Sequence, residues 1–241
     1  MIDSTHKSEA PVAEGSPGAS RSHYWEWTSA DRAPNHSYLV PGVLRALGDP
    51  EGRRLLDLGC GNGALTAELA VAGWEVTGLD FEESGIERAR QAHPGVTFAV
   101  HDIYQPLPES LRGRFDAVLS AEVIEHLFLP RELFARAREA VSAPSTIVVT
   151  TPYHGYAKNL ALAVTGKFDG HWVPGSDYGH IKFFSRRTLT TLAKECGVEP
   201  YWWHRVGRIP PLAASMIMTG WIRGPAPTGQ EDDGSRGPAS A

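Results

Sequence analysis

The chain has 241 residues, enough for one α/β domain and its appendages. Its formal charge of -5 comes from interspersed acids and bases, which excludes the basic stripe of a non-specific nucleic-acid binder. No run reaches the ~18 apolar residues expected of a membrane span. Residues 1–22 are rich in Ser, Gly, Ala, Pro and Glu and read as disordered, without the apolar core of a signal peptide. Two cysteines, Cys60 and Cys196, show no metal-binding spacing, and a reducing cytoplasm is the compartment expected. Order is expected from the aromatic cluster Tyr24, Trp25 and Trp27 onward, in a single domain over residues 23–222. The spacing of Tyr38, Leu39, Val43, Leu44 and Leu47 predicts a helix over 34–47, entered after Pro34. Beyond Arg53 strands and helices alternate. Strands are expected at 54–57, 75–79, 97–100, 117–120 and 146–150, and helices at 63–72, 82–92, 131–141 and 185–196. That rhythm is the signature of a parallel, doubly wound α/β sheet.

The stretch Leu55-Leu56-Asp57-Leu58-Gly59-Cys60-Gly61-Asn62-Gly63 reads as an apolar strand, a glycine-rich turn and the start of a helix. A second strand then ends in Asp80. Such an entrance binds a nucleoside-containing cofactor, because glycines admit close backbone approach and the acid grips the ribose hydroxyls. Two cofactor classes compete. The loose G-x-G-x-x-[G/A] form would suit a dinucleotide, yet Asp57 sits badly beside an anionic pyrophosphate. It is better suited to S-adenosylmethionine, which carries a sulfonium and an ammonium. With its Asp57-x-Gly59-x-Gly61-x-Gly63 motif, the sequence resembles the class I S-adenosylmethionine-dependent methyltransferases from about Leu55 to Cys196. The resemblance implies their Rossmann-like fold, with Asp57, Gly59, Cys60 and Gly61 around the methionine part of the cofactor. It further implies Asp80 on the ribose, Phe81 on the adenine, and Asp102 and Ile103 at the adenine edge. The fourth strand would end at Ala121, facing both cofactor and substrate.

After that strand comes Glu122-Val123-Ile124-Glu125-His126. A helical turn here would put Glu122, Glu125 and His126 at i, i+3 and i+4, hence on one face. Two oxygen ligands and an imidazole suit Mg²⁺ or Mn²⁺ better than a structural zinc. A further ligand would come from His154, His171 or His180, in a segment over 151–184 that breaks the strand–helix rhythm. That segment holds one short apolar helix at 157–164 and is expected to form a lid. His180 is the best placed. Glu-x-x-Glu-His followed by a distant His resembles two methyltransferase groups, the small-RNA terminal 2′-O-methyltransferases and the ubiquinone-pathway catechol O-methyltransferases. The resemblance implies Glu122, Glu125, His126 and His180 as metal ligands, with Glu125 and His126 catalytic. The alternatives are His126 as a general base without metal, in an N- or C-methyltransferase, or a structural role for the group. An NAD-dependent dehydrogenase and a non-catalytic cofactor-binding protein are weaker readings, the first opposed by Asp57 and the second by the intact acids.

The acidic balance departs from the RNA-modifying group. Tyr153, Tyr156, Phe168, Trp172 and Tyr178 give the lid an aromatic character that suits a small hydroxylated or aromatic acceptor. They are also consistent with core packing under a long loop. Ahead of the first strand, Tyr24, Trp25, Arg32, His36 and Tyr38 could close over the cofactor. A last strand or pair is expected near 201–206. Residues 209–222 are apolar and could finish the core, line the substrate entrance or rest against a membrane surface, core packing being the leading reading, and residues 223–241 read as a disordered tail.

Overall fold

The computed structural model of the chain describes residue 27 and residues 29–168 and 179–223. Seven strands alternate with six helices among them. In chain order these are α1 (His36–Leu47), β1 (Arg54–Leu58), α2 (Ala64–Val71), β2 (Glu75–Asp80), α3 (Glu83–Ala92) and β3 (Thr97–Val100). Then follow β4 (Ala117–Ala121), α4 (Arg131–Ala140), β5 (Ser145–Pro152), α5 (Tyr156–Val164), α6 (Arg186–Glu195), β6 (Val198–Val206) and β7 (Ser215–Ile222). The strands form one sheet in the order β3-β2-β1-β4-β5-β7-β6, with β7 antiparallel to both its neighbours. The strand order reverses between β1 and β4, and ligands of open α/β sheets bind outside the carboxyl ends at such a point.

Alternation along each strand divides the core into two layers. Leu56, Leu58, Val118, Ile147, Val149, Met216 and Met218 face α4 and α6, joining Phe134, Leu133, Leu189 and Leu192. Leu55, Ala117, Leu119, Val148 and Ile217 face the other way, onto Leu39 and Val43 of α1 and Leu65 and Leu69 of α2. Strands covered on both faces read as continuous apolar runs, and β1, β4 and β5 do. Cutting such a fully buried leucine back to alanine costs ~2–5 kcal/mol.

The expected doubly wound sheet is present, and each expected strand and helix has a counterpart. Of residues 209–222, Ser215–Ile222 finish the core as strand β7, sandwiched between β5 and β6, while Ile209 is exposed. Both cysteines are free. Among the described residues no helix is long and apolar enough to cross a membrane. Of the segment read as a lid, 151–168 and 179–184 are described, and His171, Trp172 and Tyr178 lie outside the described residues. So do Tyr24, Trp25, the first 22 residues and, Arg223 apart, the expected tail.

Candidate functional site

The carboxyl ends of β1 and β2 are tied together by main-chain bonds. Gly59 takes φ +86° at the end of β1, where a side chain would be strained. A Cβ there would also lie 2.4 Å from Val123 Cγ2. Gly59 and Cys60 donate their N–H groups to the Leu79 carbonyl at 2.7 and 3.0 Å. Gly61 N–H donates to the Asp80 carboxylate at 2.8 Å, and Glu82 N–H to its other oxygen at 2.9 Å. Burial raises the Asp80 pKa, and these two N–H donors oppose the rise. The acid at the tip of β2 is therefore held firmly beside the loop.

Asp57 lies in the α2 layer, almost wholly buried, where one oxygen accepts from the Thr66 hydroxyl at 2.7 Å. Its other oxygen is buried without a hydrogen-bond partner, and burial pushes the carboxyl up to about 7. An incompletely paired carboxylate beside the glycine loop suits a cationic ligand and opposes a pyrophosphate. The residues present therefore fit S-adenosylmethionine. Cys60, expected around the cofactor, turns its side chain under the loop against Gly78, Ile86 and Phe98, and burial raises its thiol. Phe81 stands half-exposed at the end of β2. Asp102 follows β3 and accepts from Tyr104 N–H at 2.9 Å, with Ile103 packed against the core beside it. Ala121, half-buried, ends β4.

Trp27 was not singled out from the sequence as a site residue. Its indole lies in a slot between Gly61 and Gly85, where a Cβ would approach the ring to 2.6 and 2.8 Å. Asn62 fastens the adjoining chain to the loop by donating to the Ser29 and Asp31 carbonyls, each at 3.0 Å. The aromatic cluster of the amino-terminal segment was the available signal. Of the other candidates there, Arg32 and His36 turn to Glu68 on α2, at 2.7 and 3.6 Å.

The acceptor side is assembled by side chains. The expected single helical face is not formed, because Glu122 has φ +56° and the 3₁₀ turn begins only at Ile124. Glu122 is drawn toward β5 and β7, accepting from Thr150 Oγ1 at 2.8 Å and Ser215 Oγ at 3.1 Å. Glu125 points the other way and is buried. One of its oxygens accepts from Thr151 Oγ1 at 2.9 Å, and the other has no hydrogen-bond partner and lies 4.0 Å from His180 Nε2. Burial pushes both carboxyls above the ordinary range, and the Glu122 charge adds to the rise at Glu125.

His180 is delivered by the backbone around it. Ile181 and Lys182 both donate N–H to the Glu125 carbonyl at 2.9 Å. His126 Nδ1 lies 3.3 Å from the Gly179 carbonyl, and the His126 and His180 rings meet edge to face at 4.9 Å. One donor atom each from Glu125, His126 and His180 lies within 4.8 Å of the others. Glu122 is not part of that cluster. One carboxylate oxygen lacking a hydrogen-bond partner and two imidazoles fit a divalent ion of the Mn²⁺ type more closely than Mg²⁺, which takes oxygen ligands.

Residues 30–201 match the methyltransferase domain family. A ubiquinone biosynthesis O-methyltransferase of Bordetella pertussis is 32% identical over 164 residues, covering 66% of this chain and 67% of its own. One from Cereibacter sphaeroides is 30% identical over 153 residues, covering 62% of each. Among solved structures, magnesium protoporphyrin IX methyltransferase from Synechocystis, with bound SAH, gives a TM-score of 0.58 at 20% identity, covering 76% of this chain and 82% of that one. The [4+2]-cyclase SpnF gives 0.61 at 15% identity, covering 78% and 80%. At such identities the structures speak for the fold alone. The family match takes in the glycine loop, Asp80 and the turn after β4, and the chain belongs to the methyltransferase domain family as a class I S-adenosylmethionine-dependent methyltransferase.

Proposed function

We propose that the enzyme moves the methyl group of S-adenosylmethionine to a hydroxyl oxygen of a small diol-, catechol- or sugar-like acceptor. Mg²⁺ or Mn²⁺ held by Glu125, His126 and His180 would assist. The observation that carries this reading is the donor cluster at the sheet's carboxyl end, with its buried, incompletely paired Glu125 oxygen. The relatives named O-methyltransferases support it. A divalent ion in that place lowers the pKa of a hydroxyl bound to it and fixes the oxygen.

The chain's own residues do the rest. Gly59 and Gly61 hold the loop in the positive-φ course that runs beside the cofactor, Asp57 faces its cationic end, and Asp80 takes the ribose hydroxyls. Phe81, Asp102 and Ile103 bound the adenine, and Ala121 leaves room at the end of β4. Thr151 steadies Glu125. The Gly179 carbonyl accepts from His126 Nδ1–H, which makes Nε2 the basic nitrogen of that ring. The new C–O bond forms as the methyl–sulfur bond breaks, the hydroxyl proton goes to solvent, and the products are a methyl ether and S-adenosylhomocysteine.

The test is isothermal titration of chelator-stripped protein with S-adenosylhomocysteine, then with Mg²⁺ and Mn²⁺. Cofactor binding followed by saturable metal uptake that disappears in Glu125→Ala supports the reading. Turnover of an acceptor that is insensitive to chelation replaces it with His126 as a metal-free base, as the same Gly179 contact allows. The acceptor search then opens to amines and carbon nucleophiles.

A further inference from the structure

Helix α5 is built inside out. Its only buried residue is Lys158, 6% exposed, while Tyr156, Leu160 and Val164 stand 88%, 65% and 78% exposed. A buried ammonium costs free energy unless an anion meets it, and three exposed apolar side chains offer no return. The inward lysine therefore calls for a partner.

Lys158 makes no hydrogen bond or ion pair among the described residues, and its ammonium is not among the sealed polar atoms of the interior. The charges that act on it are Arg208 and Glu122. Glu122 is already engaged by the Thr150 and Ser215 hydroxyls and forms no close ion pair with it. The Tyr38 hydroxyl meets Ser215 in the same neighbourhood. Two cations, one of them on an inward-turned side chain, thus stand beside a single carboxylate, Glu122, which two hydroxyls already engage. Burial and then the Arg208 charge pull the Lys158 pKa down against the Glu122 charge, which raises it, and an incoming anion would add to the Glu122 side.

We propose that Lys158, with Arg208 beside it, is the specificity-determining cation of the acceptor pocket and takes a carboxylate borne by the acceptor. Two carboxylate oxygens meet two cationic groups, so the acceptor is an acid as well as an alcohol or phenol. The inference rests on the O-methylation reading above.

Two probes share one diol and differ in charge, 3,4-dihydroxybenzoate and its methyl ester. Binding of each to the S-adenosylhomocysteine complex of the full chain is followed by ligand-observed NMR, and turnover with S-adenosylmethionine and Mn²⁺ by product mass. The acid should be preferred by at least about tenfold, the scale of a hydrogen bond to a charged group. In Lys158→Met, which keeps the side-chain volume, that preference should fall to about one, and in Arg208→Gln to an intermediate value. Unchanged cofactor affinity shows that each variant is folded. Equal methylation of both probes by the wild type overturns the lysine assignment and leaves the O-methylation reading in place. Lys158-dependent binding of the acid without methylation does the reverse. Failure of the acid to bind, or an acid preference that survives Lys158→Met, also overturns the assignment.

Discussion

The two halves of the site are held by different means. On the cofactor half, between β1 and β3, position is set by main chain: Gly59, Cys60 and Gly61 donate N–H groups to the end of β2, and Asp80 is gripped by two backbone donors. On the acceptor half, position is set by side chains drawn from far apart in sequence. Thr150 and Ser215 hold Glu122, Thr151 holds Glu125, and a separate segment carries His180 to the cluster. Main-chain geometry tolerates little change without losing the whole loop. Hydroxyl–carboxylate pairs can be exchanged one at a time, so a constant cofactor half can serve many acceptors.

If the halves are independent, variants should separate them. The largest effect is expected from Glu125→Ala, which should lower turnover by about 10³-fold and remove metal uptake, as losing a preorganised electrostatic group does. Cofactor affinity should stay within a factor of about three. Titration calorimetry beside steady-state assay reads both, and equal losses would merge the two halves into one. The converse variant is Asp80→Ala. It removes the acceptor for two backbone N–H groups and, on the proposed role, for the ribose. The dissociation constant for S-adenosylhomocysteine should rise about 100-fold, with kcat at saturating cofactor little changed. A fall in kcat as large as the fall in affinity would show that Asp80 also shapes the acceptor side.

Asp57 sharpens the same comparison through pH. Its folded pKa of about 7 stands above the ordinary 3.8. Between those values the folded protein holds a proton that the unfolded chain releases. The ligand-free enzyme therefore loses stability as pH rises through that window, and the loss levels off above about 7. A cofactor ammonium favours the ionised carboxylate, so binding should expel the proton. Affinity for S-adenosylhomocysteine should rise by up to about tenfold per pH unit toward 7 and then flatten. Calorimetry at pH 6 in buffers of different ionisation enthalpy should record release of about one proton. The slope should largely vanish in Asp57→Asn, leaving a remainder from Asp80, whose pKa is raised too. A pH-independent affinity in the wild type would remove Asp57 from the cofactor contact.

What was legible in the sequence follows the same division. The glycine loop, Asp80 and the alternation of strands with helices were readable because each rests on neighbouring residues. β7 was not read as a strand, since both its faces are covered and a continuous apolar run carries no period. Glu122 was expected on a helical face with Glu125. Its positive φ and its bonds to Thr150 and Ser215 depend on strands that only tertiary pairing brings close. α5 was expected only as a short apolar helix, and it packs with Lys158 inside and Tyr156, Leu160 and Val164 exposed. Trp27 needs two glycines, Gly61 and Gly85, to make its slot, and nothing local links those three positions.

The smallest effect tests what delivers His180. Ser185 caps α6 just after the segment that carries the histidine, accepting from Thr188 N–H at 3.3 Å and donating its own N–H to Thr188 Oγ1 at 2.9 Å. Ser185→Ala removes the first bond and spares the second, so the loss should be about 1 kcal/mol or less. For a chain of this size that lowers the melting temperature by roughly 2–4 °C. Metal affinity should not follow it down, because residues 181 and 182 are fastened independently by their own N–H groups to the Glu125 carbonyl. A metal affinity that drops with the cap would mean that α6, and not the 3₁₀ turn after β4, sets the histidine. The acceptor half would then be built from a helix end, much as the cofactor half is built from strand ends.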